Sequence, residues 1–452
     1  MTIHWLDPST LERRSMGIGC RRILGQHTYD VIADAIESIL DDFEIKNKCS
    51  MMITDNGSNF LRAFRLFGGS GPDSDLCCED TEEIDGGDIV PDPDIIAIAP
   101  ILEDSDDYGR LPPHHPCAAH TLNLLATTDA EAAKCDPAYR KIMRLAFAKC
   151  HAIFNKQNKS PLAADIIKKH LGRHFLVPGA NRWNSQFDAI ELLVKSEDKL
   201  DSLCKDLDLP MFKRPQEIEF LAEYCKVMEP IAQALDILQG EKEMYMGFLL
   251  PTLTVVKSVL TSLPELQWCE PLKHALLKGF DKRFSKYFEN KEFEIAACLI
   301  PRFKLIWVPH LAERQTIRNT LSDEFLKAVR KEPSTRTTTA GSKAPPESKN
   351  TKIDKFFSVI DVPKESNGNT DCSQMERAKA ESELAHYLND SVDVKEMSEL
   401  CKNLFIKFNT AVPSSAHCER LFSAASLVIT NRRGSDTNFE KQVLLKFNRH
   451  LK

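Results

Sequence analysis

Asp55 ends a short apolar run, Met51-Met52-Ile53-Thr54, and opens Asp55-Asn56-Gly57-Ser58, after which a helix is expected. A carboxylate between a buried strand and a helix start is where α/β sheets place ligand-binding groups. Hard cations such as Mg²⁺ or Mn²⁺ take one or two carboxylates, and pairs of such ions form the clamp of many nucleases. The plainer reading is that Asp55 or Asn56 only caps the helix. Glu419 lies in Pro413-Ser-Ser-Ala-His-Cys-Glu-Arg-Leu-Phe-Ser. There Ser414 or Ser415 would cap a helix whose Leu421, Phe422, Ala425 and Val428 face a core. Taken alone, Glu419 is a first-turn acid favoured by the helix dipole. Cys117 and His120 are three apart, hence on one helix face. With His114 and His115 they put four zinc-type ligands within seven residues. Structural zinc usually draws on two separated pairs. No second pair is visible, so packing or site lining is expected rather than zinc. Arg182-Trp183 offers a base-stacking ring beside a phosphate-gripping guanidinium. Trp183 serves equally as a core anchor for the helix that follows.

These side chains need elements to hold them. Ile3–Leu6 and Met16–Leu24 read as two strands joined by a turn at Asp7-Pro8. Thr28–Phe43 has apolar residues at helical spacing, Cys49–Thr54 reads as a buried strand, and Asn59–Phe67 as a helix. This is an α/β or α+β beginning. Pro116–Thr127 reads as a helix, and a basic helical region follows to about residue 172. Phe175-Leu-Val-Pro178 suggests one more strand. From Trp183 to about Val329 the pattern is mostly helical, with stripes at Ile190–Val194, Ile218–Leu238 and Leu249–Leu263. Residues 331–375 are polar, Pro-containing and aperiodic, a linker in which Phe356-Phe357 is a possible docking segment. The last 75 or so residues return to helices. The implied organisation is 1–70, an acidic insert at 71–112, 113–180, a helical 181–330, the linker 331–375, and 376–452.

Length and charge set the outer limits. The chain has 452 residues, 42% apolar and 28% charged, enough for buried cores and against wholesale disorder. No apolar run is long enough to cross a membrane, and the N-terminus lacks a signal-peptide pattern. The fourteen cysteines are irregularly spaced and read as reduced thiols. The net charge of −7 is uneven. Residues 71–110 hold fourteen Asp or Glu and one Arg, which leaves +6 for the rest. That stretch reads as a solvated loop, or else as a nucleic-acid mimic over a basic groove. Residues 134–175 hold ten Lys or Arg against two acids. They make either a phosphate-neutralising surface or simply a solvated helix face.

In this order the motifs resemble those of the hAT transposase superfamily. Ile53-Thr-Asp-Asn-Gly-Ser-Asn59 resembles the family's second catalytic Asp. Cys117-Ala-Ala-His120-Thr-Leu-Asn-Leu124 is similar to its Cys-x-x-His element, and Arg182-Trp183-Asn-Ser to its Arg-Trp element. Ser414-Ser415 through Glu419-Arg-Leu-Phe-Ser423, then Arg432-Arg433, Phe439-Glu440 and Asn448, resembles the C-terminal dimerisation region with the catalytic Glu. The resemblance implies an α/β RNase H-like domain interrupted by a large all-α insertion, with a helical C-terminal region that pairs two chains. It makes Asp55 and Glu419 ligands of Mg²⁺ or Mn²⁺ in an active enzyme. It places Cys117, His120, Arg182 and Trp183 at a DNA site, and Leu421, Phe422 and Ala425 at the dimer contact. Three departures go with it. The first strand and its Asp have no counterpart, as though the domain were N-terminally truncated, and Asp7 sits in a turn at the end of the wrong strand. A BED-type zinc finger is not seen, and Val392–Phe408 replaces a Trp-rich segment. The expectation is therefore a nuclear, dimerising, DNA-binding relative of a transposase without strand cleavage. An active transposase from an incomplete gene model, or a protein-interaction module that does not bind DNA, would also accommodate these residues.

Overall fold

The computed structural model describes residues 1–68, 110–175, 183–241, 243–331, 368–390, 393–428 and 435–451. It is mostly helical, with two small sheets of two strands each. Strands β1 (Thr2–Leu6) and β2 (Arg13–Gly17) pair antiparallel, Thr2 opposite Gly17 and Leu6 opposite Arg13. The turn between them is built by Asp7, whose Oδ1 accepts from Ser9 N and Thr10 N at 3.0 and 3.1 Å. The Ser9 hydroxyl and these amides hold its carboxyl down at about 2. The second strand expected at Met16–Leu24 instead begins at Arg13 and stops at Gly17. Beyond Gly17 the backbone turns to other partners: Ile18 N donates to Met1 O at 3.0 Å and Cys20 N to Glu440 at 2.9 Å.

Helix α1 (Tyr29–Asp42) packs on α2 (Ser58–Phe67), and Ile32, Ile36, Leu40, Ala63 and Phe64 make their core with Leu111. Between these helices runs β3 (Met52–Thr54). It pairs in parallel with β4 (His114–Pro116), in register Met52 to His114 and Thr54 to Pro116. Sequence reading missed β4, since two histidines and a proline carry no strand signal. The chain leaves this unit at Gly68 and returns at Leu111, and those two residues are bridged side by side. Arg110 donates to Glu37 and Asp34 of α1 at the same place. The acidic stretch thus departs from a closed base; residues 69–109 lie outside the described residues.

Helices α3 (Ala118–Thr127), α4 (Pro137–Lys159) and α5 (Pro161–Leu171) follow. Ser160 separates the last two. Its Oγ accepts from Ala163 N while Pro161 takes the first helical position, where its missing N–H costs nothing. Phe175 is buried, and the rest of the strand expected at 175–178 lies outside the described residues. The helical body comprises α6 (Trp183–Lys195), α7 (Leu200–Asp206), α8 (Gln216–Leu238), α9 (Leu249–Ser262), α10 (Glu270–Glu289), α11 (Lys291–Cys298) and α12 (Leu311–Lys331). One continuous core runs from Leu122 of α3 through Phe220, Leu253 and Phe284 to Phe405. It crosses residue 181 without a break, because α3 and α4 both pack on α8.

Past the linker stretch, most of which (332–367) lies outside the described residues, come α13 (Gly368–Asn389), α14 (Glu399–Asn409), α15 (Ala416–Ser426) and α16 (Asp436–Phe447). They divide their contacts. α13 and α14 join the helical body, with Tyr387 donating to Cys298 O at 2.9 Å. α15 and α16 return to the first hairpin, where Leu421, Ala425 and Val443 form a separate small core. Asn448 grips Gly17 with both ends of its amide at 2.8 Å, and Glu440 accepts from Cys20 N at 2.9 Å. The motif residues Glu440 and Asn448 are therefore intramolecular clips.

Candidate functional site

The carboxyl ends of β3 and β4 carry Asp55 and Cys117 side by side, because Cys117 N continues the ladder to Thr54 O at 2.8 Å. Cys117 caps α3: its Sγ accepts from His120 N at 3.3 Å. The same sulfur accepts from Ser415 N at 3.3 Å and donates weakly to Ser414 Oγ at 3.9 Å. One residue on, Ala118 N donates to Pro413 O at 3.0 Å. Ser414 is buried, and its Oγ turns back to accept from Ala416 N, the first residue of α15. Segments nearly 300 positions apart are thus clasped at one buried thiol. Asn56 ties the other side, donating to Thr121 Oγ1 of α3 at 3.0 Å.

Around this clasp the two acids stay at the surface. Asp55 is exposed, and its Oδ1 takes a local bond from Gly57 N at 3.3 Å. Glu419 is exposed one turn into α15. Among the described residues no three His, Cys, Asp or Glu side chains converge where they could hold a metal ion. His114 and His115 point apart for a simple reason: neighbours on a strand face opposite sides. His114 stacks on Phe64 at 4.1 Å and meets Thr54 Oγ1 at 2.8 Å, while His115 turns to Phe293 of α11 at 4.7 Å. Burial pushes His114 down to about 3 and His115 down to about 4, so both are neutral at pH 7.

A second layer anchors α15 behind the clasp. His417 of α15 meets His4 of β1 edge-on, with ring centroids 4.3 Å apart. Burial, then the charges of Arg420 and Arg13, hold His417 at about 4. His4 is also pushed well below the usual range, chiefly by burial. Arg420 donates to Gln239 O and pairs with Glu241 at 2.9 Å, fixing α15 to the end of α8. Arg13 donates to Thr410 O and Asn409 O, both at 2.6 Å, closing the carbonyl end of α14. In the sequence Arg420 stands out only as part of the C-terminal motif, and His4, His417 and Arg13 not at all. A histidine two residues before Glu419 and a basic strand residue carry no pattern of their own.

The other expected residues separate. Trp183 is 9% exposed; its indole N–H donates to Tyr224 Oη at 3.4 Å and its ring lies 5.5 Å from Phe187. It anchors the core and presents no free face to a base. Arg182 lies outside the described residues, as do Arg432 and Arg433. Leu421 and Ala425 are buried against α16, whereas Phe422 is 62% exposed on the side of α15 that also shows Glu419. Of the three residues expected at a dimer contact, two are committed to the fold and only Phe422 is available.

No family model matches the sequence, and no curated protein is similar to it. No helix among the described residues is long and apolar enough to cross a membrane.

Proposed function

We propose that the chain is a hAT-transposase-like protein with an RNase H-like part. It binds DNA in the nucleus and pairs with a second copy through the exposed side of α15. The clasp at Cys117 carries this reading. The resemblance requires that the strand ending at Asp55, the Cys-x-x-His helix and the Ser-Ser-Glu helix share one place, and all three meet there through named bonds. The motifs supply two of the three acids that a two-metal site needs. The reading is therefore of binding without strand cleavage.

The test is incubation of the purified chain with hairpin and nicked duplex DNA, with Mg²⁺ or Mn²⁺ present, following binding and cleavage together. Binding without cleavage is expected. Metal-dependent cleavage abolished by Asp55→Ala or Glu419→Ala would instead make it an active transposase. No binding at all would leave a protein-interaction module. For the pairing, Phe422→Glu should halve the mass in sedimentation while leaving the helical signal unchanged. A wild type that sediments as a monomer removes that part of the proposal.

A further inference from the structure

The basic helix α4 is not part of the clasp, and its exposed side has an unusual make-up. At about 100° per residue, its exposed positions Arg140, Lys141, Arg144, Leu145, Ala148, His151, Asn155, Lys156, Asn158 and Lys159 fall within an arc of about 160°. The opposite side carries Tyr139, Ile142, Ala146, Cys150, Ile153 and Phe154 into the core. Lys149 leaves the surface as well, pairing at 2.6 Å with the buried Glu217. The 23 residues of α4 contain no Asp or Glu. At the chain's own average, 66 acids in 452 residues, about three would be expected.

Solvated helix faces normally mix signs, because opposite charges at i,i+4 stabilise and like charges destabilise by a few tenths of a kcal/mol per pair. Lys156 and Lys159 are explained by the helix dipole, which favours cations at the C-terminal end. Arg140, Lys141 and Arg144 stand in the N-terminal half, where the dipole gives them no support. Among the described residues none of these five cations is paired with a carboxylate. Along the axis Ala148, His151 and Asn155 lie between Arg144 and Lys156, so no acid breaks the run of exposed cations. From Arg140 to Lys159 the helix runs about 28 Å, against about 34 Å for one turn of B-form DNA.

We infer that the exposed face of α4 is a surface for the phosphate backbone of duplex nucleic acid. It reads no sequence, since cations contacting phosphates position a duplex without specifying it. An anionic membrane is the weaker partner: interfacial helices insert an apolar face, and that of α4 is inside the protein, with Leu145 alone left outside. The inference rests on the nucleic-acid half of the proposed function and adds the place of contact.

The experiment compares the wild type with Arg140→Glu/Lys141→Glu/Arg144→Glu and with a control of equal charge change on other helices, Lys205→Glu/Lys278→Glu/Lys291→Glu. Affinity for a labelled random duplex is measured across a salt series, and for phosphatidylserine vesicles in parallel. The wild type should show a log–log salt slope of about −4.5, for about five phosphate contacts. The α4 variant should lose at least about 100-fold in affinity and bring the slope to about −2, with the control within about threefold. Equal losses in both variants, or an unchanged slope, overturn the placement on α4 and leave DNA binding standing. Vesicle binding that depends on α4 without duplex binding overturns it in favour of a lipid partner. No duplex binding by the wild type sinks both readings. Should the Glu variant lose its helical signal, Arg140→Gln/Lys141→Gln/Arg144→Gln is to be used, with a slope change of the same sign expected.

Discussion

Cys117 shows how much one side chain can do without reacting. Its sulfur takes two backbone N–H groups, from His120 and Ser415, and so caps α3 while holding the start of α15. A hydroxyl can accept the same bonds and is a preferred cap, whereas a methyl leaves two half-buried donors unsatisfied. Cys117→Ala is therefore expected to cost about 2–4 kcal/mol, and Cys117→Ser about 1 kcal/mol or less. Urea midpoints of the three chains check this. Equal destabilisation by Ala and Ser would mean that the bonds to sulfur contribute nothing. At this scale the sequence was readable where spacing decides the outcome. Cys117 and His120 do come together at the start of α3, though Cys117 is its extended cap rather than a helical residue, and Trp183 is buried in the core. It is unreadable where alternation decides: in the sequence His114 and His115 group with Cys117, because the strand that turns them apart carries no signal there.

Elements were legible in proportion to their length. The long amphipathic helices α1, α8 and α9 lie within a few residues of where their apolar spacing put them. Of the short strands, β1 and β3 also lie where they are expected, but β2 is displaced and β4 has no signal, since three to five residues hold too few apolar positions to show a period. Which helix packs on which was not legible at all. The C-terminal residues were expected to act as one region, yet α14 belongs to the helical body. Its end is locked by Asn409, which is fully buried; its amide accepts from Gly247 N at 2.8 Å and donates to Ala296 O at 3.1 Å. Gly247 permits this close approach, for a Cβ there would stand 2.2 Å from Ala296 O. Asn409→Leu leaves two backbone groups dry and unpaired, for an expected loss of about 2–5 kcal/mol. Hydrogen exchange should rise at α11 and α14 and not at α1 or α2. Uniform exchange across the chain would show that the lock is not local.

Across the whole molecule the separate parts are joined by neutral histidines. His115 lies between β4 and α11, His417 and His4 between α15 and β1, and His114 between β4 and α2. Each is pushed down by burial, His115 and His417 to about 4 and His114 to about 3, from an unfolded value near 6.5. Between those limits the unfolded chain binds the protons, so stability rises with pH and is lost as pH falls from about 6.5 toward about 4. For His115 and His417 the full loss is on the order of 3 kcal/mol each. The carboxyls of Glu37 and Glu324, held low by Lys and Arg neighbours, act only below the usual carboxylate range. The two causes therefore occupy different windows. The urea midpoint should fall markedly between pH 7 and pH 5, and His417→Asn should flatten that fall while leaving the lower-pH decline in place. A midpoint constant from pH 7 to pH 5 would mean that these histidines do not stay neutral when buried. A fall that His417→Asn leaves unchanged would place it elsewhere than the contact between α15 and β1.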